Sequence, residues 1–312
     1  MSGERLIELA DVSKFYGEVL GVNRVSLAIP PGITSLVGPN GSGKTTLMNL
    51  VAGLLRPTRG TVRVLGHPPD EPEAVFRTLG YCTQWDSFPR GLSGRELVDL
   101  GLRLQGHSAP AAAELAEQAI ARVGMSGAAD RRIAGYSKGM RQRIKLAHAI
   151  AHRPQVLLLD EPLNGLDPLA RAEVIALFRS LAAEGLHVFL SSHILHEVDL
   201  LSDRVVLMRA GYVVAEGAIR GVREEMTARP SQILVRCDRP GRLAAQVFAQ
   251  NHTVEAKLHD DERGLFVRTR DVDGFYRLLN RVAAAGEIEV EAVAPADEDV
   301  NAVYEYLIED KE

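Results

Sequence analysis

The sequence predicts an α/β core on a mainly parallel sheet, with an antiparallel β part and a helical insertion, followed by a small ferredoxin-like α+β domain. Three observations predict it. Short, continuous apolar strands such as QVLLLD and HVFLSSH alternate with helical stretches, as in a parallel sheet covered on both faces. Residues 90–152 interrupt that alternation and read almost wholly as helix. Beyond residue 231 the order becomes β-α-β-β-α-β, the split unit of ferredoxin-like folds. The length of 312 residues accommodates two domains, and 46% hydrophobic residues suffice for real cores.

Taken in order, residues 5–40 read as strands joined by turns: RLIELADVSK, VLGVNRVSLAI and GITSLVG. Lys44 to Leu55 reads as a helix closed by Arg56-Pro57, since proline cannot continue it. TVRVLG is a strand, residues 72–80 a helix and LGYCTQ a strand. The insertion holds three helices, GRELVDLGLRLQG, PAAAELAEQAIARVG and GMRQRIKLAHAIAHR, with Pro110 suited to a first turn. QVLLLD is then a strand, ARAEVIALFRSLAAEG a helix ended by Gly185, HVFLSSH a strand, and DRVVLMRAG with YVVAEG a hairpin. The charged stretch at 221–230 reads as a linker, dividing a first domain, 1–220, from a second, 231–312. In the second, SQILVRCD, TVEAKLHD, GLFVRTRD and EIEVEAVAP are strands, PGRLAAQVFAQ and VDGFYRLLNRVAAAG are helices, and EDVNAVYEYLIED is a closing helix.

Bulk properties exclude several functions. The net charge is −5 with scattered Lys and Arg, which argues against a nucleic-acid partner, since that needs a concentrated basic face. The two cysteines, Cys82 and Cys237, lie in apolar strands and read as small buried side chains, too few for a disulfide framework. The N-terminal stretch MSGERLIELADVSK lacks the charge and apolar pattern of a targeting segment. No run approaches the roughly 18 apolar residues of a membrane span. Membrane work would therefore fall to a partner.

Gly38, Pro39, Asn40, Gly41, Ser42, Gly43, Lys44 and Thr45 match G-x-x-x-x-G-K-[ST] between a strand and a helix that continues with Thr46. Backbone N–H groups and the helix N-terminus there suit phosphate oxygens, and Lys44 adds a full charge. The Thr45 hydroxyl is placed to ligate Mg²⁺. In VLLLDEP, Asp160 ends a buried strand near that loop, where it can hold Mg²⁺ through water; Glu161 beside it can polarise an attacking water. Paired acids at a strand end are common surface charge, but a phosphate loop gives these two a task. In YSKGMRQR, Ser137 stands at a helix N-terminus, where it is either a plain cap or an anion contact.

At YSKGMRQR the chain resembles the ABC ATPase family, whose signature reads LSGGQ. Tyr136, Ser137, Lys138, Gly139 and Met140 align with it; Lys138 and Met140 depart from it, and Ser137 and Gly139 are retained. The resemblance covers about residues 4–220. It implies ATP and Mg²⁺ as ligands and ATP hydrolysis as the activity. Gln84 in YCTQ would sense Mg²⁺ and the attacking water, Asp167 in LNGLDP would be the D-loop acid, and His193 in SSHILHEV would bond the γ-phosphate. Tyr16 in KFYG would stack on adenine. Ser137, Lys138, Gly139 and Met140 would act in trans on ATP held by the opposite subunit, of a homodimer or of a pair with a related ATPase. Trp85 to Arg90 would meet an integral membrane permease and hold the chain peripherally at the cytoplasmic face of the membrane.

The combination of YSKGMRQR, NGLDP and a C-terminal extension is similar to the exporter branch of the family. That branch energises export of drugs, lipids, polysaccharides or ions and metal-enzyme maturation. PADEDVNAVYEYL resembles its closing S-L-E-D-V-F, with Ala296 and Asp297 in the first two positions. The alternative is a non-transport ABC ATPase acting on the ribosome or nucleic acid. Such proteins usually carry two cassettes in one chain, coiled-coil arms or zinc insertions, which this sequence lacks. A P-loop kinase would have neither Glu161 after Asp160 nor YSKGM. The second domain reads as a dimer-stabilising appendage or, by fold analogy, a small-molecule sensor.

Overall fold

The computed structural model describes residues 5–194, 198, 200–202, 204–218, 231–259 and 264–295. The linker at 221–230, the turn at 260–263 and the closing helix at 298–310 lie outside the described residues. The chain divides into two compact units, Met1–Gly217 and Ala218–Glu312.

In the first unit, β1 (Ile7–Tyr16) lies between β2 (Val19–Ile29) and β4 (Arg59–Val64) in an antiparallel three-stranded sheet. A six-stranded sheet has the order β5 (Leu79–Cys82), β6 (Val156–Leu159), β7 (His187–Ser192), β3 (Ile33–Val37), β8 (Arg204–Arg209) and β9 (Tyr212–Ala218). From β5 to β8 the neighbouring strands pair in parallel. β9 returns from β8 through the two residues Ala210-Gly211, the short link that only antiparallel neighbours allow.

Strand side chains alternate between faces, and two cores result. Leu157 and Leu159 of β6, with Val188 and Leu190 of β7, face the helices α3 (Gly94–Leu104), α4 (Ala109–Arg122), α5 (Lys138–Ile150) and α6 (Pro168–Ala183). Val156, Leu158 and Phe189 face the opposite way, onto α1 (Lys44–Val51). Leu47, Met48, Leu50 and Val51 of α1 join them to Ile7, Leu9, Val25 and Leu27 of the antiparallel sheet. A helix apolar on most sides is one buried between two layers. Each such side chain, fully buried, contributes roughly 1.5–3 kcal/mol.

α1 is shorter than the expected Lys44–Leu55. It ends at Val51, with Gly53 in the left-handed region at φ 72°. A Cβ at Gly53 would lie 2.3 Å from the carbonyl oxygen of Pro69. Gly53 ends the helix by a left-handed turn, its N–H donating to the Leu50 carbonyl oxygen and the Leu54 N–H to that of Asn49, so the stop lies there rather than at Pro57. Likewise α2 covers only Pro72–Phe76 of the expected 72–80, because the chain turns into β5 at Leu79. Pro110 sits in the first turn of α4, as its missing N–H favours.

The second unit runs β10 (Ser231–Cys237), α7 (Pro240–Phe248), β11 (Thr253–Leu258), β12 (Gly264–Thr269), α8 (Val272–Ala284) and β13 (Val290–Pro295). Its antiparallel sheet has the order β11-β12-β10-β13, the ferredoxin-like arrangement. Ile233 and Val235 pair with Val267 and Leu265, and this face packs under Leu243, Val247, Phe275 and Leu279.

Candidate functional site

The loop from Gly38 to Gly43 leaves the C-terminal end of β3 and enters α1. Two of its glycines have a steric reason. A Cβ at Gly38 would stand 2.6 Å from the Met208 carbonyl oxygen, and Gly43 holds φ 103° with the Gly21 carbonyl oxygen 2.6 Å from where a Cβ would be. Gly43 also leaves α1 with no side-chain cap and no acid in its first turn. The first N–H groups of a helix have no intrahelical acceptor. Here they carry the helix's positive end toward whatever occupies the loop.

Lys44 is 6% exposed. Its Nζ donates to the carbonyl oxygens of Gly38 at 2.7 Å and Pro39 at 3.2 Å and lies 3.3 Å from Glu161 Oε1. Glu161 Oε2 accepts from His193 Nδ1 at 2.7 Å. Glu161 is thus a buried carboxylate gripped from both sides, by an ammonium and an imidazole. Its backbone is in the left-handed region, φ 50°, uncommon for a residue with a side chain.

Thr45 Oγ1 donates to Asp160 Oδ2 at 2.8 Å, and Ser191 Oγ donates to Asp160 Oδ1 at 2.6 Å. The Glu161 N–H donates to the same Ser191 Oγ at 2.8 Å. Burial pushes the Asp160 carboxyl above the ordinary carboxylate range, the Ser191 and Thr45 hydroxyls pull the other way, and neighbouring Glu161 raises it further. A buried acid in that state gains from a cation beside it. Thr45 and Asp160, one hydroxyl and one carboxylate, form the oxygen donor set that Mg²⁺ takes.

A cavity of about 430 Å³ is lined by Tyr16, Asn40, Lys44, Thr45, Thr46, Gln84 and Glu161, among others. Tyr16 is half-exposed at its edge, its hydroxyl 3.4 Å from Thr46 Oγ1 and its ring 5.6 Å from Lys14 Nζ. An aromatic face beside a phosphate-type loop is a surface on which a base can stack. Asp160 and His193 stand one contact behind the cavity, through Thr45 and Glu161.

The signature residues do not border it. Ser137 caps α5, its hydroxyl accepting the Met140 N–H at 3.2 Å. Lys138 lies over Gly165, where an added Cβ would meet its Nζ. A Cβ added at Gly139 would make an ordinary van der Waals contact with Ala170 Cβ at 3.7 Å. Met140 packs partly into the helical core. Asp167 caps α6, accepting the Ala170 N–H at 2.9 Å. In the segment after Gln84, Trp85 is 74% exposed whereas Phe88 packs against the core.

Three contributors escape a reading of the sequence. Ser191 ties both acids together, and its only sequence signal is a pair of serines ending an apolar strand. Lys145 and Asp86 pair at 2.9 Å; their signal is a lysine flanked by the buried Ile144 and Leu146 of α5. Burial would raise the Asp86 carboxyl, but hydrogen bonds from Arg141 and Lys145 outweigh it and hold it below the ordinary range.

A family model described as ABC transporter matches residues 22–164. The daunorubicin/doxorubicin resistance ATP-binding protein DrrA of Streptomyces peucetius is 40% identical over 215 residues, 68% of this chain and 65% of that protein. The bacitracin transport ATP-binding protein BcrA of Enterococcus faecalis is 30% identical over 309 residues, 98% of this chain and 97% of that protein. Among solved structures, a dimeric ATP-binding cassette in a post-hydrolysis state bound to ADP and Pi is 25% identical, with a TM-score of 0.63. That match covers 69% of this chain and 99% of the other.

Proposed function

The chain belongs to the ABC transporter family of ATP-binding proteins, and on that premise we propose that it is the ATP-hydrolysing subunit that drives export through a separate membrane permease. The observation that carries the reading is Glu161, buried between Lys44 and His193 at the wall of the cavity. A carboxylate so held can take a proton from a water attacking the terminal phosphate.

The other roles follow from position. Tyr16 supports the adenine. Gly38, Pro39, Asn40, Gly41, Ser42, Gly43, Lys44, Thr45 and Thr46 cradle the phosphates, whose oxygens compete with Glu161 for the Lys44 ammonium. That competition frees Glu161 to face water. His193, whose Nδ1 holds Glu161, would bond the γ-phosphate. Thr45, Asp160 through water, and Gln84 would hold Mg²⁺, which when bound neutralises charge on the β- and γ-phosphates.

Ser137, Lys138, Gly139 and Met140 lie away from the cavity of their own chain, and a second copy or a related ATPase would bring them to it. Asp167, at the head of α6, would stand at the same contact. Trp85 to Arg90 offers the exposed Trp85 to the permease. Among the described residues no helix is long and apolar enough to cross a membrane, so the membrane-crossing path belongs to that partner, with this chain at its cytoplasmic face. Residues 1–220 form the cassette, 221–230 the linker and 231–312 an accessory domain. Export is favoured by the drug-resistance and bacitracin-transport names of the two relatives.

The test is MgATP turnover and nucleotide binding by Glu161→Gln beside the unaltered chain. Turnover falling by orders of magnitude with ATP still bound supports the reading; rapid hydrolysis by Glu161→Gln refutes it.

A further inference from the structure

Lys145 spends its whole ammonium on one loop. It has three N–H donors, and three acceptors face it: the Thr83 carbonyl oxygen at 3.0 Å, the Gln84 carbonyl oxygen at 3.5 Å and Asp86 Oδ1 at 2.9 Å. Its side chain is 10% exposed, so these contacts are hardly screened by water. Asp86 Oδ2 accepts from Arg141 Nε at 2.7 Å, and Arg141 Nη1 donates to the Tyr136 carbonyl oxygen at 2.5 Å. Gln142 Nε2 adds a bond to Cys82 Sγ at 3.4 Å. One continuous set of polar contacts therefore runs from Tyr136, beside Ser137 at the head of α5, to the backbone of Gln84 at the cavity wall. The exposed Trp85 lies between Gln84 and Asp86 in the same segment.

We propose that Lys145, with Asp86 as its counter-charge, is a positioning residue that locks the Thr83–Asp86 segment to α5, so that Gln84 and Ser137 are carried as one rigid piece. The proposal rests on the nucleotide site described above and deepens it. A partner pressing on Trp85 then moves Gln84 at one end of the piece and Ser137 at the other. Neither Lys145 nor Asp86 touches the reacting atoms. Without them, Gln84 keeps its chemistry and loses its fixed place.

The experiment uses the full chain with Lys145→Met, which keeps the length of the stem and removes its donors. Asp86→Asn is the second variant; Asp86 is 33% exposed, so the fold tolerates the change. Trp85 is the chain's single tryptophan, so its fluorescence anisotropy reports this segment alone. The lock predicts that both variants bind ATP as tightly as the parent. It predicts kcat lower by roughly ten- to a hundredfold, as for a misplaced catalytic group, with reduced Trp85 anisotropy. Lys145→Arg recovers part of both. Unchanged kcat in both variants overturns the proposal, as does a fall in kcat with anisotropy unchanged, which would mark a merely structural residue. Glu161→Gln, run in parallel, separates the two readings. If it hydrolyses ATP freely, the nucleotide site is misassigned, whereas the anisotropy still decides whether the lock exists.

Discussion

Lys44 shows how a single side chain carries charge across the site. Buried among two carbonyl oxygens and Glu161, it is the one full positive charge on the phosphate side of the cavity among the residues lining it. Hydrogen bonds to charged groups contribute about 1.5–3 kcal/mol, which converts to roughly ten- to a hundredfold in affinity. Lys44→Ala is therefore expected to weaken ATP binding by at least that factor, measured by titration with a fluorescent ATP analogue; binding within twofold of the parent contradicts the assignment. The sequence made this residue legible because G-x-x-x-x-G-K-[ST] describes local geometry: strand, turn, helix start. Glu161 was legible as an acid after a buried strand. Its grip by His193, 32 positions away, was not, because that contact depends on two parallel strand ends meeting through the order of the sheet. Ser191 was hidden for the same reason.

At the scale of elements, helix termini carry much of the site. α1 opens uncapped, and its free end faces the loop; α5 and α6 open with Ser137 and Asp167 as caps. Asp167, expected as the D-loop acid, is already employed within its own chain by the Ala170 N–H. Replacing an N-cap with alanine costs about 1 kcal/mol. Asp167→Ala should lower unfolding stability by about that amount, and Asp167→Asn, which still caps, by only a few tenths. Urea denaturation of both variants checks this, and equal losses would mean the cap is not what the carboxylate supplies. Among the described residues, element identity was legible from apolar runs and periodicity, including α3, α4 and α5 of the insertion. Element ends were less so. The stop of α1 is the left-handed turn at Gly53, a local glycine signal that stands four residues before the Pro57 from which the sequence reading placed it.

The whole molecule has separable cores. Ile233, Val235, Leu265, Val267, Phe275 and Leu279 belong to one cluster, whereas the cassette's apolar residues fall into two others. A chain ending before residue 231 should keep both cassette cores intact. It is expected to unfold cooperatively on heating and still bind ATP; a truncated chain with no cooperative transition would mean the second unit is needed to fold the first. Among the described residues of both units, the order of strands and helices was legible from the sequence, because continuous apolar strands and the β-α-β-β-α-β succession each admit few topologies.

On the proposed mechanism, one chain holds half of a catalytic site. Lys44, Thr45, Gln84 and Glu161 line one cavity with Asp160 and His193 directly behind them, and Ser137 and Gly139 do not border it. Closure by a second copy would place the positive end of α5 on the terminal phosphate, where a charge supplied in trans is worth on the order of 10³–10⁵ in rate in other phosphate-transfer enzymes. The direct measurement is oxidative crosslinking of a chain carrying Ser137→Cys and Asn40→Cys in the Glu161→Gln background, with and without MgATP, resolved by denaturing gel. The composite site predicts a covalent dimer that forms only with MgATP. A chain that stays monomeric with MgATP bound, or that crosslinks only within itself, would contradict it.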